Sequence, residues 1–154
     1  MSGIAIAILG ATLSALLGGT GSALGVMYAG KAAAGVTSEK PELFGKMLVL
    51  QALPGTQGIY GFLVAVLVMV NTGILGGSPA DLTMAEGWGY FFASLPMAIV
   101  GLTSGIAQGM TAASAIHMTG KQPDASGKGI TMTAMVETYA ILALLTSILL
   151  IFSL

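Results

Sequence analysis

Long segments without charged residues dominate this chain. Residues 1–30, 47–80 and 87–120 contain no Asp, Glu, Lys or Arg, and residues 129–154 contain one such residue. Each segment exceeds the roughly 20 apolar residues that a helix needs to cross a bilayer. We therefore expect an all-α membrane protein with four transmembrane helices. The expected helices span about residues 4–30, 46–71, 88–118 and 129–153.

The composition excludes several other classes of protein. Charged residues make up 7% of the 154 residues, against about 25% in soluble domains, so this chain cannot build a water-facing surface. Five lysines without any arginine are too little positive charge for a nucleic-acid partner. The chain has no cysteine, and its single histidine cannot form a zinc site. It also lacks a GxxxxGKS/T phosphate-binding loop, so we expect no catalytic site and no cofactor.

The positions of the lysines predict the orientation in the cell membrane. The first loop is flanked by Lys31, Lys40 and Lys46, and the third by Lys121 and Lys128. The middle loop, residues 72–87, contains only acidic charges. Because lysine is enriched in cytoplasmic loops, we expect the first and third loops in the cytoplasm and both termini outside.

The two halves of the chain resemble each other. Residues 41–46, PELFGK, match residues 123–128, PDASGK, at an offset of 82 residues. We predict two tandem helical hairpins of the same orientation, residues 1–71 and 88–154, joined by the outward-facing loop 72–87. At the same offset Gly55 aligns with Glu137, so one hairpin has a carboxylate where the other has glycine.

Small residues recur on the first and third predicted helices. Every fourth residue is small at Ala7, Ala11, Ala15, Gly19 and Ala23, and a double GxxxG is formed by Gly101, Gly105 and Gly109. A second match between the halves, at an offset of 84, pairs Gly21 and Gly25 with Gly105 and Gly109. Faces of this kind let neighbouring backbones approach closely. They fit either packing within one four-helix bundle or a tightly curved ring with helices one and three as its inner layer.

Glu137 is the one charged residue expected near the middle of the membrane. It follows Lys128 by nine residues, which is roughly 13 Å along a helix. An ionised carboxylate at this depth is costly unless it is paired, and no lysine lies deep enough in the membrane to pair with it. We expect Glu137 to be protonated, to hold a cation, or to meet a positive charge from a partner chain.

The second helix offers polar groups that could surround this carboxylate. Thr56 and Tyr60 share one face, and Gln57 lies beside it. Pro54 has no N–H, so we expect a carbonyl one turn earlier, near Leu50, to lack its helical donor.

The third helix adds Gln108, whose amide would be costly facing lipid and is expected to point to the same interior. Together with Glu137 these groups form an all-oxygen set that suits a hard cation, and one negative charge balances Na⁺. A carried proton would need fewer polar partners, and it stays open as an alternative.

Three motifs resemble those of a known family. LPGTQGIYGF at residues 53–62, SGIAQG at 104–109 and VETYAIL at 136–142 resemble the rotor-ring proteolipid, the K subunit, of bacterial V-type ATPases, especially its sodium-translocating members. The resemblance implies a homo-oligomeric ring that carries Na⁺ while it rotates, coupled to ATP hydrolysis by other subunits. The implied partners are identical subunits, a membrane stator subunit with a basic residue, the central stalk of the soluble ATPase sector, and lipid.

The resemblance also assigns a site. It implies that Na⁺ is bound by the Leu53 carbonyl, Thr56, Gln57, Gln108 and Glu137, with Tyr60 donating a hydrogen bond that helps to close the site. The Leu53 carbonyl is assigned by the resemblance alone. Two other classes are weighed against the rotor: a small solute transporter acting as a dimer of four-helix subunits, and a structural or pore-forming proteolipid.

Overall fold

The computed structural model describes residues 2–154, and the elements in that range are helices. The α-helices are α1 (Gly3–Glu39), α2 (Phe44–Ala52), α3 (Thr56–Asn71), α4 (Met84–Lys121) and α5 (Ser126–Phe152). Short 3₁₀ turns at Pro41–Leu43, Leu53–Gly55 and Pro123–Ala125 precede α2, α3 and α5. Because α2 and α3 follow each other across one turn, the chain has four helical segments that are long and apolar enough to cross a membrane.

Most of the helical segments start earlier or end later than predicted, whereas the second ends at Asn71 as predicted and α5 ends at Phe152, one residue early. α1 continues to Glu39 instead of ending near residue 30, since the charge at Lys31 ends the apolar segment but not the helix, and the alanines that follow are strong helix formers. α4 begins at Met84, four residues before the predicted start at residue 88. A capping box sets this start: the Thr83 hydroxyl accepts the N–H of Glu86 at 3.3 Å, and the Glu86 carboxylate accepts the N–H of Thr83 at 2.8 Å.

α1 and α4 lie against each other over most of their length, and glycines make this approach possible. A methyl group on Gly105 would lie 2.6 Å from the carbonyl carbon of Gly21, and Gly109 lies as closely against Gly25. The glycine match at an offset of 84 therefore identifies pairs that pack against each other, and these pairs are not equivalent positions of the repeat.

Part of the predicted small-residue stripe of α1 turns away from this contact. Ala7 and Ala11 are buried, Ala15 and Gly19 are half-buried, and Ala23 is exposed. A step of four residues exceeds one helical turn by about 40°, so the stripe rotates by about 160° between its first and last members. The five residues therefore do not form one face that packs against α4 within the chain: Ala15 and Gly19 are only partly buried, and Ala23 is exposed.

The four segments form two hairpins, α1 with α2 and α3, and α4 with α5, that pack side by side. α1 and α4 form the central contact, and α3 also touches α5. One apolar cluster includes Val64 and Met97, and a second includes Leu50 and Ile116. Gln57, whose amide is buried, lies between Leu50 of the second cluster and Val64 of the first along the same helical segment. Polar groups therefore lie between the two apolar clusters.

Candidate cation-binding site

The second membrane-crossing segment is interrupted next to its polar residues. Pro54 lies in the 3₁₀ turn Leu53–Gly55, and α3 begins at Thr56. Proline disrupts helical hydrogen bonding because it has no N–H and its ring crowds the preceding turn. The Leu53 carbonyl lies in this break and accepts both the N–H of Thr56 and, at 3.1 Å, its hydroxyl. Leu50, where we expect the open carbonyl, lies in the last turn of α2, four residues before Pro54.

Gln57 and Gln108 meet in the interior of the chain, where both are 0% exposed. Gln57 Nε2 donates to Gln108 Oε1 at 2.5 Å. Gln108 Nε2 donates in turn to the backbone carbonyl of Thr133 at 3.2 Å and lies 3.5 Å from Glu137 Oε2. Buried amides need such partners, and this chain of bonds links the two hairpins beside the carboxylate.

Glu137 also meets Tyr60 across the two hairpins. The Tyr60 hydroxyl donates to Glu137 Oε1 at 2.6 Å, and both side chains are half-buried. A bond this short is typical of a hydroxyl that donates to a carboxylate. One oxygen of Glu137 is thus paired with α3, and the other lies beside Gln108 of α4.

The oxygens around the break lie close enough together to bind one ion. Thr56 Oγ1 lies 3.1 Å from the Leu53 carbonyl oxygen and 3.4 Å from Gln57 Oε1. Oxygens that bind one cation at about 2.4 Å, the distance for an ion of the size of Na⁺ or Ca²⁺, lie roughly 3.4 Å apart when they are at right angles. One nearby carboxylate balances a monovalent ion of that size, whereas a divalent ion would leave a buried net charge.

Gln108 differs from the other residues assigned to the site. It presents its amide nitrogen to Glu137, and its oxygen accepts the bond from Gln57. To bind a cation through oxygen, the Gln108 amide would have to turn over. The structure thus brings the six predicted residues together, with Gln108 in an orientation that suits hydrogen bonding to the carboxylate.

Sequence reasoning missed two contributors to this region. The Thr133 carbonyl, which holds the Gln108 amide, leaves no trace in the residue type, because every residue has a carbonyl. Ser22 of α1 accepts the N–H of Gly58 at 2.7 Å. Its sequence signal was only a small polar residue on a helix already rich in small residues.

Comparison with known proteins identifies the family. The sequence matches the family of the ATP synthase C subunit twice, over residues 9–68 and 91–150. The two matches are related by the offset of 82 residues that relates the two hairpins. The chain belongs to the ATP synthase C subunit family. Each hairpin of this family member therefore contains one matched family unit.

Relatives of this family member come from V-type and A-type complexes. The V-type sodium ATPase subunit K of Enterococcus hirae is 46% identical over 97% of this chain and 92% of the relative. The A-type ATP synthase subunit K of Methanocaldococcus jannaschii is 43% identical over 93% of this chain and 61% of the relative. The 16 kDa proteolipid of the V-type proton ATPase of Nephrops norvegicus is 28% identical over 75% of this chain and 70% of the relative.

These matches confirm the resemblance to rotor-ring proteolipids. They also confirm, with the four apolar helical segments, the predicted fold of two tandem transmembrane hairpins. This member of the ATP synthase C subunit family is a multi-pass membrane protein.

Proposed function

We propose that this chain is a rotor subunit of a V-type ATPase that carries Na⁺ across the membrane on Glu137. The main supporting observation is that Glu137, held by Tyr60 at 2.6 Å, lies beside a helix break in which oxygens 3.1 and 3.4 Å apart could bind one cation. The 46% identical relative is named as a subunit of a sodium ATPase, which supports the choice of ion.

The charge of the site explains how an ion could be moved past lipid. Na⁺ bound to ionised Glu137 makes the site electrically neutral, so that its passage through hydrocarbon is not opposed by a buried charge. At a membrane stator subunit, a basic side chain would compete for Glu137 and release the ion. Rotation would then bring the empty site to an entry channel. ATP hydrolysis would be the work of other subunits of the complex.

The loops at one end of the bundle support a common docking surface for the central stalk. Lys40 Nζ donates to the Gly120 carbonyl at 2.5 Å, at the last turn of α4, and Lys46 Nζ donates to the Pro123 carbonyl at 2.8 Å. Lysines at a helix C-terminus satisfy carbonyls that have no helical donor. These bonds tie the first and third loops together, and the lysines support a cytoplasmic position for this end, with both termini outside.

The repeat supports assembly into a homo-oligomeric ring. Hairpin one has a surface, between α1 and α3, that hairpin two of the same chain covers. Its α1 residues are Gly18, Gly21, Ser22 and Gly25, and all four are buried. At an offset of 82 their counterparts on α4 are Val100, Thr103, Ser104 and Ala107, which line an open groove between α4 and α5. Hairpin two therefore presents an uncovered version of a surface that is built to receive a hairpin.

The small residues Gly19 and Ala23 of α1, which are not fully buried within the chain, fit the same groove on a second copy. Gly19 and Ala23 are the counterparts of Gly101 and Gly105, the α4 residues that pack on hairpin one. A methyl group on Gly19 would meet no atom within 4 Å in the isolated chain. A second copy that docks through this stripe repeats the contact between the hairpins, and continued repetition closes a ring with α1 and α4 as its inner layer.

The test of the proposed function is protection of Glu137 by Na⁺. A hydrophobic carbodiimide modifies the protonated carboxyl group, so bound Na⁺ should slow the modification at a fixed pH. The matched control is K⁺ at the same ionic strength, which should protect less. Labelling that Na⁺ does not slow would refute the sodium function and leave a proton-carrying rotor of the same type.

A further inference from the structure

Ser22 joins α1 to the first turn of α3. Its Oγ accepts the backbone N–H of Gly58 at 2.7 Å, and Ser22 is 8% exposed. Gly58 allows this approach, because a methyl group there would lie 3.3 Å from both Cβ and Oγ of Ser22. The bond therefore holds the residue that directly follows Gln57 of the candidate site.

The helix break explains why the N–H of Gly58 needs a partner from another helix. The first N–H groups of a helix have no acceptor within it, and α3 starts only at Thr56. In hydrocarbon an N–H without a partner costs several kcal/mol. Ser22 supplies the missing acceptor from α1.

The second hairpin has the same serine without the bond. Ser104, the counterpart of Ser22 at an offset of 82, is 6% exposed, and its Oγ has no hydrogen-bond partner among residues 2–154. The counterpart of Gly58 is Ala140, which lies inside the uninterrupted helix α5. The serine bond thus belongs to the hairpin whose helix is broken at the candidate site.

A second proline has a similar arrangement. Pro96 interrupts hydrogen bonding within α4. The next residue, Met97, donates its N–H at 3.2 Å to the hydroxyl of Ser147 on α5. In both hairpins a buried serine from the neighbouring helix satisfies a backbone N–H close to a proline.

We propose that Ser22 is a positioning residue for the cation site, and that its bond to Gly58 sets the rotation of the first turn of α3. Thr56 and Gln57 lie on this turn, so the bond fixes the direction in which their oxygens point, without contact between Ser22 and the ion. This role rests on the proposed Na⁺-carrying function. It assigns to α1 a part in ion affinity that none of the six predicted site residues supplies.

The experiment compares three variants in the complete ATPase complex. Ser22→Ala removes the acceptor, and Ser22→Cys keeps the shape with a weak acceptor. Ser14→Ala is the matched control, because Ser14 is also a buried serine of α1 and its hydroxyl has no hydrogen-bond partner among residues 2–154. The readouts are the Na⁺ concentration that half-protects Glu137 from carbodiimide at fixed pH, and the Na⁺ dependence of ATP-driven transport. We expect Ser22→Ala to raise the half-protecting concentration by a few-fold and by no more than about tenfold, because the bond is present without the ion and only the part of its energy that favours the ion-bound site acts on affinity. The maximal transport rate should be retained. Ser22→Cys should shift the half-protecting concentration in the same direction, and Ser14→Ala should leave it within about twofold of the value for the unmodified chain.

The outcomes separate this proposal from the function on which it rests. Equal half-protecting concentrations in Ser22→Ala and Ser14→Ala would overturn the positioning role, and so would a lower maximal rate with unchanged Na⁺ dependence. If Ser22→Ala does not assemble, Ser22→Cys decides, and unchanged Na⁺ dependence there refutes the proposal. Labelling of the unmodified chain that Na⁺ does not affect would instead refute the sodium function itself.

Discussion

The hydrogen bond from Tyr60 to Glu137 allows the contribution of the Tyr60 hydroxyl to ion affinity to be predicted. Replacing Tyr60 with Phe removes a 2.6 Å hydrogen bond to Glu137 Oε1 and leaves the ring in place. A hydrogen bond to a charged group contributes about 1.5–3 kcal/mol, and one between neutral groups contributes about 0.5–1.5 kcal/mol. With Na⁺ bound, Glu137 is ionised; without it, a protonated Glu137 can still accept a neutral bond from Tyr60.

Only the difference between these two bonds acts on ion affinity. It is about 1–1.5 kcal/mol, which corresponds to a roughly tenfold weaker affinity for Na⁺ at a fixed pH. We expect Tyr60→Phe to need about ten times more Na⁺ for half-protection of Glu137 against carbodiimide. At saturating Na⁺ the protection should be complete, because the oxygens of the helix break remain.

The matched control is Tyr28→Phe, the same change at a phenol on α1 that is 40% exposed. It should leave the Na⁺ dependence unaltered. A half-protecting concentration for Tyr60→Phe within twofold of that for Tyr28→Phe would show that the bond does not favour the ionised carboxylate, and the expected contribution of Tyr60 to ion affinity would be refuted.

Three further predictions follow from the site and the packing. Glu137→Gln should abolish Na⁺-dependent transport while the ring keeps its mass; transport that persists would contradict the central role of the carboxylate. Gly105→Ala places a methyl group 2.6 Å from a backbone carbon, whereas the methyl group added by Gly127→Ala meets open space. The purified ring with Gly105→Ala should therefore melt at a clearly lower temperature than the ring with Gly127→Ala. Equal melting temperatures would contradict the close contact. The chain has no cysteine, so the double variant with Ala23→Cys and Thr103→Cys should form disulfides between copies on oxidation. Neither single variant should do so. Finding only monomers of the double variant after oxidation would refute the proposed ring contact.

Much of the fold could be predicted because a bilayer imposes its conditions locally. A helix that crosses lipid must be apolar along its whole length and must satisfy its own backbone groups, so the number of spans is visible in the charge-free segments. The ends of the helices are predicted less accurately than their number. Lys31, for example, marks the end of the first apolar segment, whereas α1 continues to Glu39.

The candidate site could be predicted in its residue types, because polar groups are rare at membrane depth. Glu137, Gln57 and Gln108 stand out in apolar segments for this reason. Their relations could not be predicted in the same way. Which atom of Gln108 faces Glu137 depends on the Thr133 carbonyl, and the position of the carbonyl in the break depends on how the turn forms around Pro54.

By itself the sequence determined the membrane class, the four apolar segments, the repeat and the one carboxylate within those segments, since each of these depends on residue type and spacing along the chain. Only the tertiary structure decided which faces meet. The rotation of a helix about its axis is set by packing against its neighbours. One face of a helix recurs every 3.6 residues, so residues spaced four apart turn gradually away from a neighbouring helix. For that reason Gly21 meets Gly105 while Ala23 stays exposed, and Ser22, which carried no distinct sequence signal, lies against the broken helix beside the site.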